Sequence, residues 1–161
     1  VYAHKNEPQD QKQPSLYKGA RCRVCLVREN NHLPQVRLNS AQKVYELVRD
    51  ELASSDREIM LSVMLDTQLN LIGIETVAVG SINVCGSTIA EVFKSAILSN
   101  ASCIVLCHNH PSGSLEPSTE DIAFTKKVVS CGMMLNVRLH DHLILSHRGF
   151  WSMNESGLIR P

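Results

Sequence analysis

The sequence predicts an α/β fold built around one mixed sheet, and three observations predict it. Apolar runs of strand length alternate with stretches of helical periodicity, in the order helix, hairpin, helix, strand, helix, strand. Two of the strand runs, 58–66 and 71–79, are separated only by the turn-forming residues 67–70, which predicts an antiparallel hairpin inside the sheet. Ile89, Val92, Phe93, Ala96 and Ile97 recur at helical spacing, a face suited to lying on a sheet.

Taken in order, the chain opens with a polar stretch containing Pro8, Pro14 and three Gln, and residues 1–20 are expected to be a flexible N-terminal arm. The remainder, 21–161, is expected to form one domain. Residues 21–28 read as a strand and 29–38 as a polar loop. Asn39-Ser40 can cap a helix whose apolar positions are Val44, Leu47, Val48 and Leu52. The run E-I-M-L-S-V-M-L-D over 58–66 is apolar on both faces, which predicts a central strand. After the second hairpin strand, 80–86 is a connection. Thr88-x-x-Glu91 is a capping box, and Asn100 is the expected stop of the helix behind it. A strand over 103–107 follows, then a helix opened by Pro117-Ser118 and ending near 131–132. Strands are expected over 136–146 and 150–153. No internal repeat is visible.

Sixteen acidic residues balance sixteen basic ones, so overall charge gives no nucleic-acid footprint, although a local basic patch is not excluded by it. No run is long and apolar enough to cross a membrane. Several of the six cysteines lie in apolar runs, where a free thiol acts as a small hydrophobe; a reducing, cytoplasmic setting is the expectation. Cys22-x-x-Cys25 has redox or zinc-knuckle spacing but lacks a second such pair.

The densest chemistry lies between residues 102 and 121. The 103–107 strand runs into His108-Asn109-His110, and residues two apart on a strand point to one side, so the two imidazoles can converge. Pro111 stops the strand and Ser112-Gly113-Ser114 turns the chain. Asp121 then falls in the first turn of the next helix, where it can meet the histidines. Two imidazoles and a carboxylate suffice for a divalent metal with one position left open. The plainer alternative is that Ser118-x-x-Asp121 only caps the helix and the histidines only end a strand.

H-N-H-P-S-G followed by P-S-x-x-D resembles the JAMM (MPN-plus) metalloprotease motif in the variant of the RadC-like proteins. The likeness covers residues 39–159 and includes D-H-L-I at 141–144 and a closing G-L-I. It implies a single JAB/MPN-like domain, a curved mixed β-sheet flanked by helices in a cytidine-deaminase-like layering, with the metal at the sheet rim. It implies Zn2+ on His108, His110 and Asp121, with Glu58 as the general base. In the family the hydroxyl matching Ser118 also helps to stabilise the oxyanion. Glu75, flanked by apolar residues on the next strand, is the rival base. His142 is either a support for the ligands, a substrate contact or a structural histidine; His4, His32, His140 and His147 show no spacing signal. One departure is I-A-E at 89–91, where many RadC-like chains have P-R-E.

The implied function is a zinc metallopeptidase or isopeptidase, with an extended peptide or ubiquitin-like tail adding as a strand beside the sheet. The alternative is a DNA-repair or DNA-processing factor of the RadC type, which the balanced charge does not support. Two histidines and a carboxylate also match a non-haem iron triad, in which a water-activating glutamate would be surplus. A metal-free scaffold would not need the complete ligand set.

Overall fold

The computed structural model describes residues 36–52, 54–80 and 88–159. The expected arm over 1–20, the expected strand over 21–28 with Cys22-x-x-Cys25, and nearly all of the 80–86 connection lie outside the described residues. Eight elements follow one another: α1 (Ala41–Leu52), β1 (Ile59–Leu65), β2 (Leu71–Val79), α2 (Ile89–Leu98), β3 (Cys103–Asn109), α3 (Thr119–Leu135), β4 (Arg138–Ser146) and β5 (Gly149–Ser152). Together they form the α/β architecture that the alternation of patterns predicts.

The five strands make one mixed sheet in the order β2-β1-β3-β4-β5. β1 is antiparallel to both β2 and β3, β3 is parallel to β4, and β4 is antiparallel to β5. The parallel pair requires a crossover, and α3 supplies it. β1 and β3 are interior strands buried on both faces, which explains their nearly unbroken apolar sequences.

Alternation along the strands divides the core in two. Val44, Val48 and Leu52 of α1 pack on Leu61, Val63, Leu65, Val105, Cys107, Leu143 and Leu145. On the opposite face, Val92, Phe93 and Ala96 of α2 and Phe124 and Val128 of α3 pack on Met60, Met64, Ile104, Leu106 and Ile144. Cys103 and Cys107 are fully buried free thiols within the first of these layers. Burial pushes the Cys107 thiol far up, so it serves as a core residue and not as a nucleophile.

Some boundaries differ from expectation. β3 continues through His108 to Asn109. α3 runs on past 131–132 to Leu135 and ends on Asn136, which adopts the left-handed conformation and closes the helix by donating to the carbonyls of Gly132 and Met133. Gly132 marks a close approach instead of a helix end: a Cβ there would lie 2.6 Å from the Val137 carbonyl oxygen and 3.3 Å from Phe93. β4 consequently begins at Arg138 instead of 136. Ile97, assigned to the apolar face of α2, is half exposed.

Candidate metal centre

The site forms where the end of β3 faces the start of α3. His108 near the end of β3 and His110 just past it lie on one side of the chain, and their Nε2 atoms approach to 3.1 Å. Pro111 and the turn after it return the chain through Gly113, whose φ of 85° is left-handed. A side chain there would also strike the His147 ring, at 2.7 Å from its Cε1. The return brings Asp121 under the histidines, its Oδ1 3.3 Å from His108 Nε2 and its Oδ2 3.5 Å from His110 Nε2. Donor atoms of His108, His110 and Asp121 all lie within 4.8 Å of one another, so this group can hold a metal ion.

The donor chemistry fits a cation. His110 Nδ1 lies 3.2 Å from the Ser114 carbonyl, which has no proton to give, so the nitrogen donates there and Nε2 is left to face Asp121. Burial alone would raise the Asp121 carboxyl. Hydrogen bonds from His108 and His110, the charge of His108 and the bond from Ser118 outweigh burial and hold it well below the usual carboxylate range. His110 is raised, chiefly by its hydrogen bond to Asp121 against the opposing effect of burial, with the Glu58 charge contributing. A carboxylate that stays ionised while almost fully buried, facing two imidazole nitrogens, is a negative pocket that a proton or a metal must complete.

Ser118 does cap α3, as its position predicts. Its Oγ accepts from Asp121 N at 3.0 Å, while its own N–H and hydroxyl donate to Asp121 Oδ2 at 2.8 and 2.6 Å. The hydroxyl proton is therefore engaged by the carboxylate. Ser118 holds Oδ2, which leaves Oδ1 directed at His108.

Glu58 lies immediately before β1. The register Met60↔His108, continued by two residues, sets Glu58 opposite His110. Its backbone is held from two sides. Gly80 N donates to Glu58 O at 2.9 Å. Asn109, turned away from the metal point as alternation requires, accepts from Ile59 N at 2.7 Å and donates to Arg57 O at 2.9 Å. Asn109 is nearly fully buried, and its clamp on residues 57–59 was not legible from its type or spacing. Glu75 lies elsewhere: it pairs with Ser62, which pairs with Leu106, one strand further out and deeper along the sheet than His108. Glu75 Oε2 and Ser62 Oγ are buried there without hydrogen-bond partners.

Behind the ligands stands His142, fully buried, with Nε2 2.8 Å from His108 Nδ1 and Nδ1 2.7 Å from Thr125 Oγ1. Burial holds this imidazole neutral. His142 reaches this face because β4 has a bulge. Ile104 pairs with Leu139 but Val105 pairs with Asp141, so His140 is an extra residue that shifts the alternation by one. Asp141 thereby faces away from His142. Its carboxylate accepts from His142 N, Asn154 N and Ser152 Oγ at 2.7, 2.9 and 2.6 Å, tying β4 to β5.

A metal-competent donor set at the rim of a mixed sheet, between a strand end and a capped helix, defines the class. Residues 38–158 match the RadC-like JAB domain family, and the chain belongs to it. It is 41% identical over 132 residues to a UPF0758 protein of Thermotoga maritima, covering 82% of this chain and 59% of that protein. It is 36% identical over 124 residues to a UPF0758 protein of Clostridium beijerinckii, covering 77% and 54% respectively. A UPF0758 protein of Chloroflexus aurantiacus is 38% identical over 121 residues, with 75% and 53% covered. The chain thus spans a little over half the length of these relatives. No helix among the described residues is long and apolar enough to cross a membrane.

Proposed function

We propose that this domain is a zinc-dependent hydrolase of amide bonds, acting on an extended peptide or on the isopeptide-linked tail of a ubiquitin-like protein. The observation that supports this most is the strand register that sets one carboxylate residue, Glu58, opposite His110 in a group of three metal-competent donors. Residues His108, His110 and Asp121 would hold the ion. Zinc there would supply Lewis acidity and a water acidic enough to react near neutral pH.

The protein's own groups do the rest. Ser118 and the α3 cap keep Asp121 aimed, while the two imidazoles keep it ionised. Asn109 and Gly80 hold the backbone on either side of Glu58, which limits the positions open to its carboxylate. Glu58 takes a proton from the attacking water at a carboxylate oxygen and returns it to the leaving amine. Ser118 can offer its hydroxyl to a developing oxyanion only by releasing Asp121 Oδ2, so we assign it to positioning first and to oxyanion contact second. β2 is an edge strand whose far end is bridged by Arg37 to Asn70, while Val79 at the site end is exposed. Among the described residues no strand pairs with the site end of that edge, which suits strand addition by an extended substrate.

The test presents zinc-loaded protein to peptide and isopeptide libraries and, separately, to single- and double-stranded DNA. The expected result is amide cleavage lost in Glu58→Gln. Metal-dependent DNA cleavage lost in the same variant, with every amide intact, would replace this reading with a DNA-processing one.

A further inference from the structure

The hydrogen bonds behind the metal centre form a chain whose proton positions can be derived one by one. Thr125 Oγ1 lies 2.7 Å from the Asp121 carbonyl oxygen and 2.7 Å from His142 Nδ1. It also lies 3.2 Å from Met153 Sδ. The hydroxyl has one proton for these three contacts. The carbonyl oxygen has none to give, so an oxygen–oxygen distance of 2.7 Å requires the hydroxyl proton to lie between them. The imidazole can supply its own proton for its contact, and a thioether is the weakest acceptor of the three. His142 therefore donates from Nδ1 to Thr125 Oγ1. His142 is fully buried and its two ring nitrogens face Thr125 Oγ1 and His108 Nδ1, with no carboxylate there to pair an imidazolium, so the ring carries one N–H and its Nε2 is a bare acceptor. The group facing it at 2.8 Å is His108 Nδ1, which must then be the donor.

We propose that Thr125 and His142 are positioning residues that fix the proton of His108 on Nδ1 and so keep its Nε2 lone pair directed at the metal point. This deepens the metal-site part of the proposed function and rests on it. The wiring begins on the backbone of Asp121, itself a proposed ligand, so α3 sets a carboxylate with one atom of that residue and a histidine tautomer through another. The Ser114 carbonyl does the same for His110 by a separate route. A metal-ligating histidine commonly donates its other N–H to a fixed acceptor, and removing that acceptor typically weakens metal binding by about 10–100-fold. Here the acceptor is a second imidazole, which could itself present a proton and block the arrangement. Thr125 prevents that.

The decisive variant is Thr125→Val, close in shape but without the hydroxyl. His142 then has no acceptor for an Nδ1 proton, and its proton moves to Nε2, facing His108. Long-range nitrogen–proton NMR on metal-free protein reads the His142 tautomer, and chelator competition with zinc alone reads affinity. The expected results are Nδ1–H on His142 in the wild type, Nε2–H in Thr125→Val, zinc binding weaker by about 10–100-fold in that variant, and recovery of both in Thr125→Ser. His142 carrying Nε2–H in the wild type, or zinc affinity unchanged in folded Thr125→Val, would overturn the proposal. Neither readout uses turnover, so absence of amide cleavage would remove the peptidase reading and leave this one standing. Absence of zinc binding by the wild type would overturn both.

Discussion

Among the described residues the same helix-opening device occurs twice, and only one copy belongs to the candidate site. At the start of α2, Thr88 N and Oγ1 donate to Glu91 Oε2 at 2.8 and 3.0 Å, and Glu91 N donates back to Thr88 Oγ1 at 3.2 Å. At the start of α3, Ser118 and Asp121 make the same three bonds at 2.8, 2.6 and 3.0 Å. Both acids are held below their ordinary range, but for different reasons. Glu91 is exposed, and its bonds to Thr88 lower it directly. Asp121 is buried against the pull of desolvation, and two imidazoles keep it ionised. The capping motif by itself therefore defines no site. Chemistry arises where the capped acid is short, lies beneath a strand end and meets nitrogen donors across the gap.

The largest expected contrast lies between the two acids. Asp121→Asn keeps a side-chain acceptor for the Ser118 cap but removes the charge, and chelator competition should find zinc binding lost. Glu91→Gln keeps its capping box and should bind zinc as the wild type does. Equal metal binding in both variants would erase the distinction between the two caps.

Next in size is the base. Glu58→Gln should retain zinc and lose about 10²–10⁴-fold in amide hydrolysis, the usual loss on removing a general base. Glu75→Gln should leave turnover close to wild type, because Glu75 is a strand further from the ligands. Turnover abolished by Glu75→Gln and untouched by Glu58→Gln would reverse the assignment.

The smallest effects sharpen the comparison of the two hydroxyls. Thr88→Ala should cost about 1 kcal/mol in a denaturant titration, the ordinary value of an N-cap, with no change in metal affinity. Ser118→Ala should show a similar loss of stability and, in addition, weaker zinc binding, since it removes the shorter of the two bonds that hold Asp121 Oδ2. If Ser118→Ala keeps full affinity and loses only turnover, its hydroxyl acts on the substrate instead.

Most of this arrangement was legible in the residues. The patterns gave α1, β1, β2 and α2 nearly to the residue, because the helices each have one apolar phase and the two hairpin strands are bounded by turn residues and charges. The H-x-H spacing and the Asp121 position placed the three donors together, because a strand end and the following helix start are local in sequence. What escaped reading depends on long-range register. His142 faces His108 only because the bulge at His140 shifts the alternation of β4, and no local pattern announces a bulge. Alternation turns Asn109 away from the metal point, and only the register of β1 beside β3 lets it reach across and hold the segment bearing Glu58. Thr125 sits one helical turn after Asp121 with no signal beyond its type; its partner, His142, arrives from another strand. Gly132 suggested a helix end because its true reason, the passage of the Val137 carbonyl, is also tertiary.

The central claim is that His108, His110 and Asp121 hold one zinc ion. Elemental analysis of protein purified without added metal tests it most directly. The account predicts one equivalent of zinc per chain in the wild type and none in the double variant His108→Ala with His110→Ala. Iron as the predominant metal, or zinc fully retained in that double variant, would contradict it.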